Sequence, residues 1–158
     1  MQPAPTPANE TQRMADLVAL QILDTPPEER FDRIVRLAKA VFHVPIAYIA
    51  LVDRNRQWFK AKQGLEAAQT GRAESFCGHA ILGNEVMVVP DAREDERFAD
   101  NPMVTGEPYV RFYAGQPLKG PNKTNVGTLC VVGNDPRTLT DHERWILREL
   151  GAMVEHEL

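Results

Sequence analysis

Two nearly unbroken apolar runs, Ile46–Val52 (IAYIALV) and Val126–Val132 (VGTLCVV), constrain this chain more than anything else in it. A strand with one wet face alternates polar and apolar residues, whereas a run that is apolar throughout belongs to a strand covered on both sides. The rest of the chain must therefore supply two layers of cover, one for each face of a sheet. With 158 residues it is long enough to do so as one domain.

One layer is legible as helices. Residues 1–9 are rich in Pro and Ala without periodicity and read as a flexible lead-in. A helix is expected from about Asn9–Thr11, with Met14, Leu17, Val18 and Gln21 on one face and Leu20 and Ile22 beside it. Thr25-Pro26-Pro27-Glu28 reads as a capping box, with Thr25 as cap and Pro26 at the first helical position. Phe31, Ile34, Val35, Ala38, Val41 and Phe42 then recur at helical spacing. That helix ends before His43-Val44-Pro45, because a residue preceding proline avoids the helical region. Thr140 and Glu143 repeat the capping box near the C-terminus. They open a helix whose buried stripe is Trp145, Ile146, Leu150 and Met153 or Val154.

The strands come in pairs. Arg56–Gln63 (RQWFKAKQ) returns from the first apolar run through Asp53-Arg54-Asn55, a hairpin that puts Trp58, Lys60 and Lys62 on one face and Phe59 and Ala61 on the other. Leu65–Glu74 reads as loop, and Val86–Val89 as a short strand stopped by Pro90. Arg111–Leu118 is a strand in which Gly115 permits a close neighbour, and the loop KGPNKTN joins it to Val126–Val132. This pairing predicts an α+β fold, with a mostly antiparallel sheet and helices on one face.

The second layer must come from the stretch Ser75–Leu118. It gathers the groups able to do chemistry or hold a small molecule: Phe76, Cys77, His79, Asp91, Arg97, Phe98, Asn101, Arg111 and Tyr113. Polar groups interleaved with aromatics and broken by Gly and Pro suit a pocket wall. Ser75 is placed to cap a short helix running to Leu82. Arg111 and Tyr113 share one face of their strand and Phe112 and Ala114 the other, so one pair looks into the pocket. Asp91 with Arg111 reads as an ion pair pinning a loop; in the alternative, Arg111 faces the pocket and grips an anion with both ends of its guanidinium. Cys77 and Cys130 are the only cysteines and read as reduced, structural thiols. No spacing resembles paired CxxC units, so no metal is expected.

Composition excludes several classes. Hydrophobic content of 43% and charged content of 25% are those of a globular domain, which sets aside disordered and fibrous chains. A net charge of -4 argues against nucleic acid, whose phosphates need a basic face. No apolar run approaches the ~20 residues that span a bilayer, and MQPAPTPANETQ lacks the basic start and apolar centre of a signal peptide. A cytoplasmic location away from membranes is expected.

The segments LDTPPEERFDRIVRLA, VPIAYIALVDRNRQWFK, SFCGHAI, VVPDA, RFADNPMVTG, RFYAGQPL and GTLCVV, in that order, resemble the GAF domain family, and in particular its bacterial members found beside histidine kinase and diguanylate cyclase domains. The resemblance runs from about residue 12 to residue 156. It implies a central antiparallel sheet of five or six strands, terminal helices that pack together and often dimerise, and a small-molecule pocket on the opposite face. It implies a single domain over residues 10–158 with a sensory role, passed through the terminal helices to a kinase or cyclase output.

The family's known occupants fit poorly. Bilin-binding members attach their chromophore to a cysteine directly followed by His, whereas Gly78 separates Cys77 from His79 here. The Asn-Lys, Phe, Asp-Glu signature of cyclic-nucleotide-binding members is missing from Arg93–Ala99. Free methionine sulfoxide reductases share the fold and present three cysteines; this chain has two. The expectation is a regulatory module with an unidentified ligand, not an enzyme. The rivals are a thiol-redox enzyme or sensor using Cys77, and a ligand-free dimerisation module.

Overall fold

A computed structural model describes residues Met1–Leu158. Its elements in chain order are α1 (Glu10–Ala19), α2 (Glu29–Phe42), β1 (Ile46–Val52), β2 (Arg56–Gln63), β3 (Gln69–Gly71), α3 (Cys77–Ala80), β4 (Met87–Val89), a 3-10 turn (Ala92–Glu94), α4 (Pro102–Thr105), β5 (Phe112–Lys119), β6 (Asn125–Gly133) and α5 (Asp141–Glu157). The six strands lie in the order β3-β2-β1-β6-β5-β4, and every neighbouring pair is antiparallel.

The two apolar runs are the two central strands. β1 and β6 pair from Ile46↔Val132 to Leu51↔Gly127. Gly127 is required where they cross, because a Cβ there would run into the backbone carbonyl of Ala50. Alternation divides β1 between two cores. Ala47, Ile49 and Leu51 pack with Phe31, Val35 and Leu147 under the helices, while Ile46, Tyr48, Ala50 and Val52 belong to a second cluster on the opposite face. The Ser75–Pro108 excursion covers that second face with Phe76, Ile81, Phe98 and Val104.

Several local expectations are corrected. Leu65–Glu74 contains β3, a three-residue edge strand paired with β2 at Arg56–Trp58. Thr25 does not cap α2, which starts later with Glu28 as N-cap and without a capping box. The reason is Lys60, whose side chain is fully buried. Its ammonium takes Thr25 Oγ1 (2.7 Å), the Pro26 carbonyl (2.7 Å) and the Glu28 carboxylate (2.6 Å), occupying the groups that would have capped the helix. A bulge opposite Ile49/Ala50 leaves Lys60 unpaired, so Ala61 joins Trp58 in the helix-side core instead of Phe59.

The terminal helices also differ from their predicted faces. α1 turns Arg13 and Asp16 inward with Leu17, leaving Val18 exposed. Arg13 Nη1 donates to the Val52 carbonyl at 2.6 Å, and Asp16 accepts from Thr124 Oγ1 at 2.7 Å in the β5–β6 loop. Bonds to charged groups of this kind contribute roughly 1.5–3 kcal/mol each, enough to hold a helix whose apolar band is thin. α5 does start at the Thr140/Glu143 capping box, but it buries Leu147, Leu150, Gly151 and Val154, while Trp145 and Met153 face out. Gly151 lets the helix settle onto Gln116 of β5. α2 buries its stripe as expected except for Val41, which is exposed.

Candidate functional site

On the face opposite the helices the sheet is roofed by the excursion, and between them lies a small cavity of about 30 Å³. Its floor comes from Ile46 and Tyr48 of β1, Gln57 and Phe59 of β2, Tyr113 of β5 and Val132 of β6. Phe76, Met103, Pro108 and Val110 close it from above, and Leu65 and Thr70 from the side. The wall carries no charged residue. One polar atom in it is unsatisfied: Gln57 is buried, donates from Nε2 to Thr70 Oγ1 at 2.6 Å, and its Oε1 has no partner. Aromatic contacts hold the roof shut. Phe76 stacks on Phe98 at 4.0 Å and 5°, and tilts against Tyr113 at 5.0 Å; Tyr48 meets Phe59 edge-on at 4.9 Å.

Of the nine residues singled out from the sequence, Phe76 and Tyr113 line this cavity. Phe98 backs the wall through its stack on Phe76. Asn101 caps α4, accepting from Met103 N at 2.9 Å and donating to the Glu74 carbonyl at 2.9 Å, which fastens two loops. Arg111 donates to the carbonyls of Val104 (2.9 Å) and Val110 (3.1 Å), and does not pair with Asp91. Asp91 binds its neighbour Arg93 instead, in a two-pronged contact of 3.0 and 2.8 Å, while Arg97 does the same with Asp95 at 3.0 and 2.8 Å. The i+2 spacing on a tight turn delivers each guanidinium to the nearer carboxylate. These local pairs lower both acids, with the guanidinium bond as the largest cause. His79 is half-buried, its Nε2 2.7 Å from the Gln2 carbonyl. Burial pulls its imidazole below the usual value, opposed by that carbonyl.

Residues 46, 48, 57, 59 and 132 were not singled out, although strand alternation carried the signal: residues two apart on β1 share a face.

Cys77 and Cys130 meet directly behind the cavity wall. Their sulfurs are 3.5 Å apart, both residues are wholly buried, and neither is oxidised. Thr128 Oγ1 lies 2.9 Å from Cys77 Sγ and 3.0 Å from Cys130 Sγ; Tyr113 OH lies 3.3 and 3.1 Å from the same atoms. Burial pushes the Cys77 thiol up, but the hydrogen bonds it shares with Cys130, Thr128, Tyr113 and Tyr48 bring it below an ordinary thiol. Burial dominates at Cys130 and holds it well above.

A wider hollow of about 750 Å³ lies elsewhere, between the N-terminal segment, α1 and the β1–β2 turn. It is an open surface groove, and its Glu10 and Arg72 are already bonded to each other. No three His, Cys, Asp or Glu side chains are grouped to hold a metal ion. No helix is long and apolar enough to cross a membrane.

An antiparallel sheet with terminal helices on one face and an excursion roofing a cavity on the other defines a class of small α+β domains. The profile of the GAF domain matches residues 26–158, and the chain belongs to that family. A cyclic di-GMP phosphodiesterase of Pseudomonas aeruginosa is 46% identical over 151 residues, covering 95% of this chain. The match takes up 26% of that relative, so the chain spans about a quarter of its length. Among solved structures, the GAF domain of an Acinetobacter phosphoenolpyruvate-protein phosphotransferase superposes with a TM-score of 0.67 at 21% identity, covering 94% of this chain and 92% of that one. A free methionine-R-sulfoxide reductase from Neisseria meningitidis, in complex with its substrate, gives 0.66 at 16% identity over 99% and 95%. At such identities the structural likenesses speak for the fold alone.

Proposed function

We propose that this chain is the regulatory GAF module of a cytoplasmic bacterial signalling system, and that it binds a small, uncharged, largely apolar molecule in the cavity over the sheet. The observation that carries the reading is the cavity itself: aromatic and aliphatic walls, no charge, and one buried carbonyl oxygen, Gln57 Oε1, awaiting a donor. An unpaired buried acceptor costs about 1–3 kcal/mol, which a ligand N–H or O–H would recover. The charged groups that could hold an anion, Asp91, Arg97 and Arg111, are bonded to their own loops.

Binding has to be coupled to movement. Pockets for drug-sized ligands measure roughly 300–1,000 Å³, at least tenfold more than this cavity offers. Any such occupant lifts the Phe76–Phe98 roof, and a sensor needs that kind of ligand-dependent rearrangement. Large apolar side chains left exposed on the three helices, Val18, Leu37, Val41, Trp145 and Met153, support dimerisation through the helix face. The phosphodiesterase activity named for the Pseudomonas relative falls, in this reading, to an output region outside the matched quarter. A kinase or diguanylate cyclase partner would fit the same role.

The small volume also favours a second reading, a domain that binds nothing and serves only to dimerise. Native mass spectrometry of freshly purified protein separates the two. A dimer carrying a small adduct that is released on unfolding supports the first. A bare dimer supports the second, and a bare monomer sinks both.

A further inference from the structure

The dithiol behind the cavity wall is not needed for the ligand reading, and it stands on its own geometry. Two cysteines distant in sequence, one on a short helix and one mid-strand, are brought to an Sγ–Sγ separation of 3.5 Å inside a shell of hydroxyls. Thr128 and Tyr113 each reach both sulfurs. A purely apolar core would have no use for that arrangement.

We infer that Cys77 and Cys130 are a reversible oxidation site, closing to an intramolecular disulfide when a small hydroperoxide reaches Cys77. The Cys77 thiolate attacks the peroxide, a sulfur–oxygen bond forms, the O–O bond breaks, and the peroxide leaves as the alcohol or water after taking up a proton. Sulfur has then been oxidised to a sulfenic acid. The Cys130 sulfur attacks that centre, the S–S bond forms, the S–O bond breaks, and the hydroxide departs as water with the Cys130 proton. An external dithiol reverses the step by exchange.

The fold says which side moves. A disulfide brings the sulfurs to about 2.05 Å, an approach of roughly 1.5 Å from the reduced distance. Cys130 sits on β6, clamped between β1 and β5. Cys77 begins α3, a single four-residue turn held by Ser75 Oγ on the Gly78 amide (3.0 Å) and by Asn125 Nδ2 on the Ile81 carbonyl (3.0 Å). The strand stays and α3 is drawn inward, taking Phe76 and its stack on Phe98 with it. Oxidation therefore reshapes the cavity roof. Burial selects the oxidant: Cys77 is wholly buried behind Tyr113, and the cavity on the other side of that ring holds a water-sized molecule, which suits hydrogen peroxide and excludes a bulky sulfoxide.

The test uses the folded wild-type chain treated with hydrogen peroxide, quenched and digested with trypsin without reductant. Peptide-level mapping is needed because the five methionines also take up oxygen. The expected product links peptides 73–93 and 124–137 with the loss of two hydrogen atoms, within one chain, and dithiothreitol restores both thiols. In Cys130→Ser, Cys77 should stop at the sulfenic acid and be trapped by dimedone; in Cys77→Ser, Cys130 should stay reduced. The inference is overturned if wild-type thiols survive peroxide in the folded state and react only after guanidinium unfolding. It is equally overturned if the link forms between chains, or if a folded Cys130→Ser variant traps no dimedone.

Discussion

Glu10 opens α1 and ties it to the body of the domain, so neutralising it should loosen the helix in a pH-dependent way. Its carboxylate accepts from Arg13 Nε (2.7 Å) and Nη2 (3.1 Å), and from Arg72 Nη1 (2.5 Å) and Nη2 (3.2 Å). Partial burial pushes the Glu10 carboxyl up; the two guanidiniums overcome that and bring it from 4.5 down to about 2. At about 1.36 kcal/mol per unit the whole displacement would be worth roughly 3.4 kcal/mol. The side chain is 20% exposed and its partners border a solvent-filled groove, so screening reduces this to about 1–2 kcal/mol. A depressed carboxyl stabilises fully above its unfolded value and loses that contribution as pH falls toward the folded one. The deficit of Glu10→Gln relative to wild type should be full at pH 7 and pH 5.5. Well over half of it should be gone by pH 3.5, and it should vanish near pH 2. Other acids held low by arginines, Asp91 and Asp95 among them, cancel in the difference. Urea titrations at each pH read it directly; with slopes of about 1–3 kcal/mol/M, the neutral-pH midpoint should fall by roughly half to one molar. An equal deficit at pH 7 and pH 3.5 would refute the electrostatic account, as would no deficit at either.

Gly115→Ala places a methyl group against the Tyr113 hydroxyl, which is walled in by the two thiols. It should cost about 1–3 kcal/mol in urea denaturation and raise the reactivity of Cys77 and Cys130 toward a thiol reagent; unchanged stability would mean the ring relocates freely. Thr140→Ala breaks the α5 capping box, in which Thr140 Oγ1 accepts from Glu143 N at 3.1 Å. A loss of about 1 kcal/mol, or a drop of about 2–4 °C in Tm, is expected, with the variant still dimerising if dimerisation uses the exposed helix faces.

The architecture was legible because it rests on burial of long runs. β1 and β2 fall where alternation places them, at Ile46–Val52 and Arg56–Gln63, and the capping box at Thr140 begins α5. Local rules failed where a distant group outbid them. Thr25 carries every mark of a helix cap, yet a lysine 35 residues later takes its hydroxyl. Val18 and Trp145 follow the apolar periodicity and still face out, because Arg13 and Asp16 found better partners inside and because Leu147 and Gly151 fit the sheet more closely. Asp91 and Arg111 are plausible partners in one dimension, but the turn gives Asp91 an arginine two residues away. The cavity lining was mostly hidden for a different reason. Residue types that look chemical drew notice to the excursion, while most of the floor is ordinary strand residues whose role depends only on which face they occupy.

That division of faces makes β5 the strand through which the two sides of the domain meet. Tyr113 points to the cavity and the thiols, whereas Phe112 beside it points into the helix-side core. The Arg137 guanidinium lies over the Phe112 ring at 5.4 Å. The same group donates to the Phe42 carbonyl that ends α2 (2.5 Å) and pairs with Glu143 in the first turn of α5 (2.6 Å). A displacement of Tyr113, whether by a ligand beneath the roof or by a disulfide behind it, has to be absorbed by a strand paired on both sides with β4 and β6. In a close-packed interior that displacement carries over to Phe112, the next residue on the strand, under Arg137. A roof movement large enough to admit a ligand therefore has a packed path to the ends of α2 and α5, two of the three helices with exposed apolar side chains.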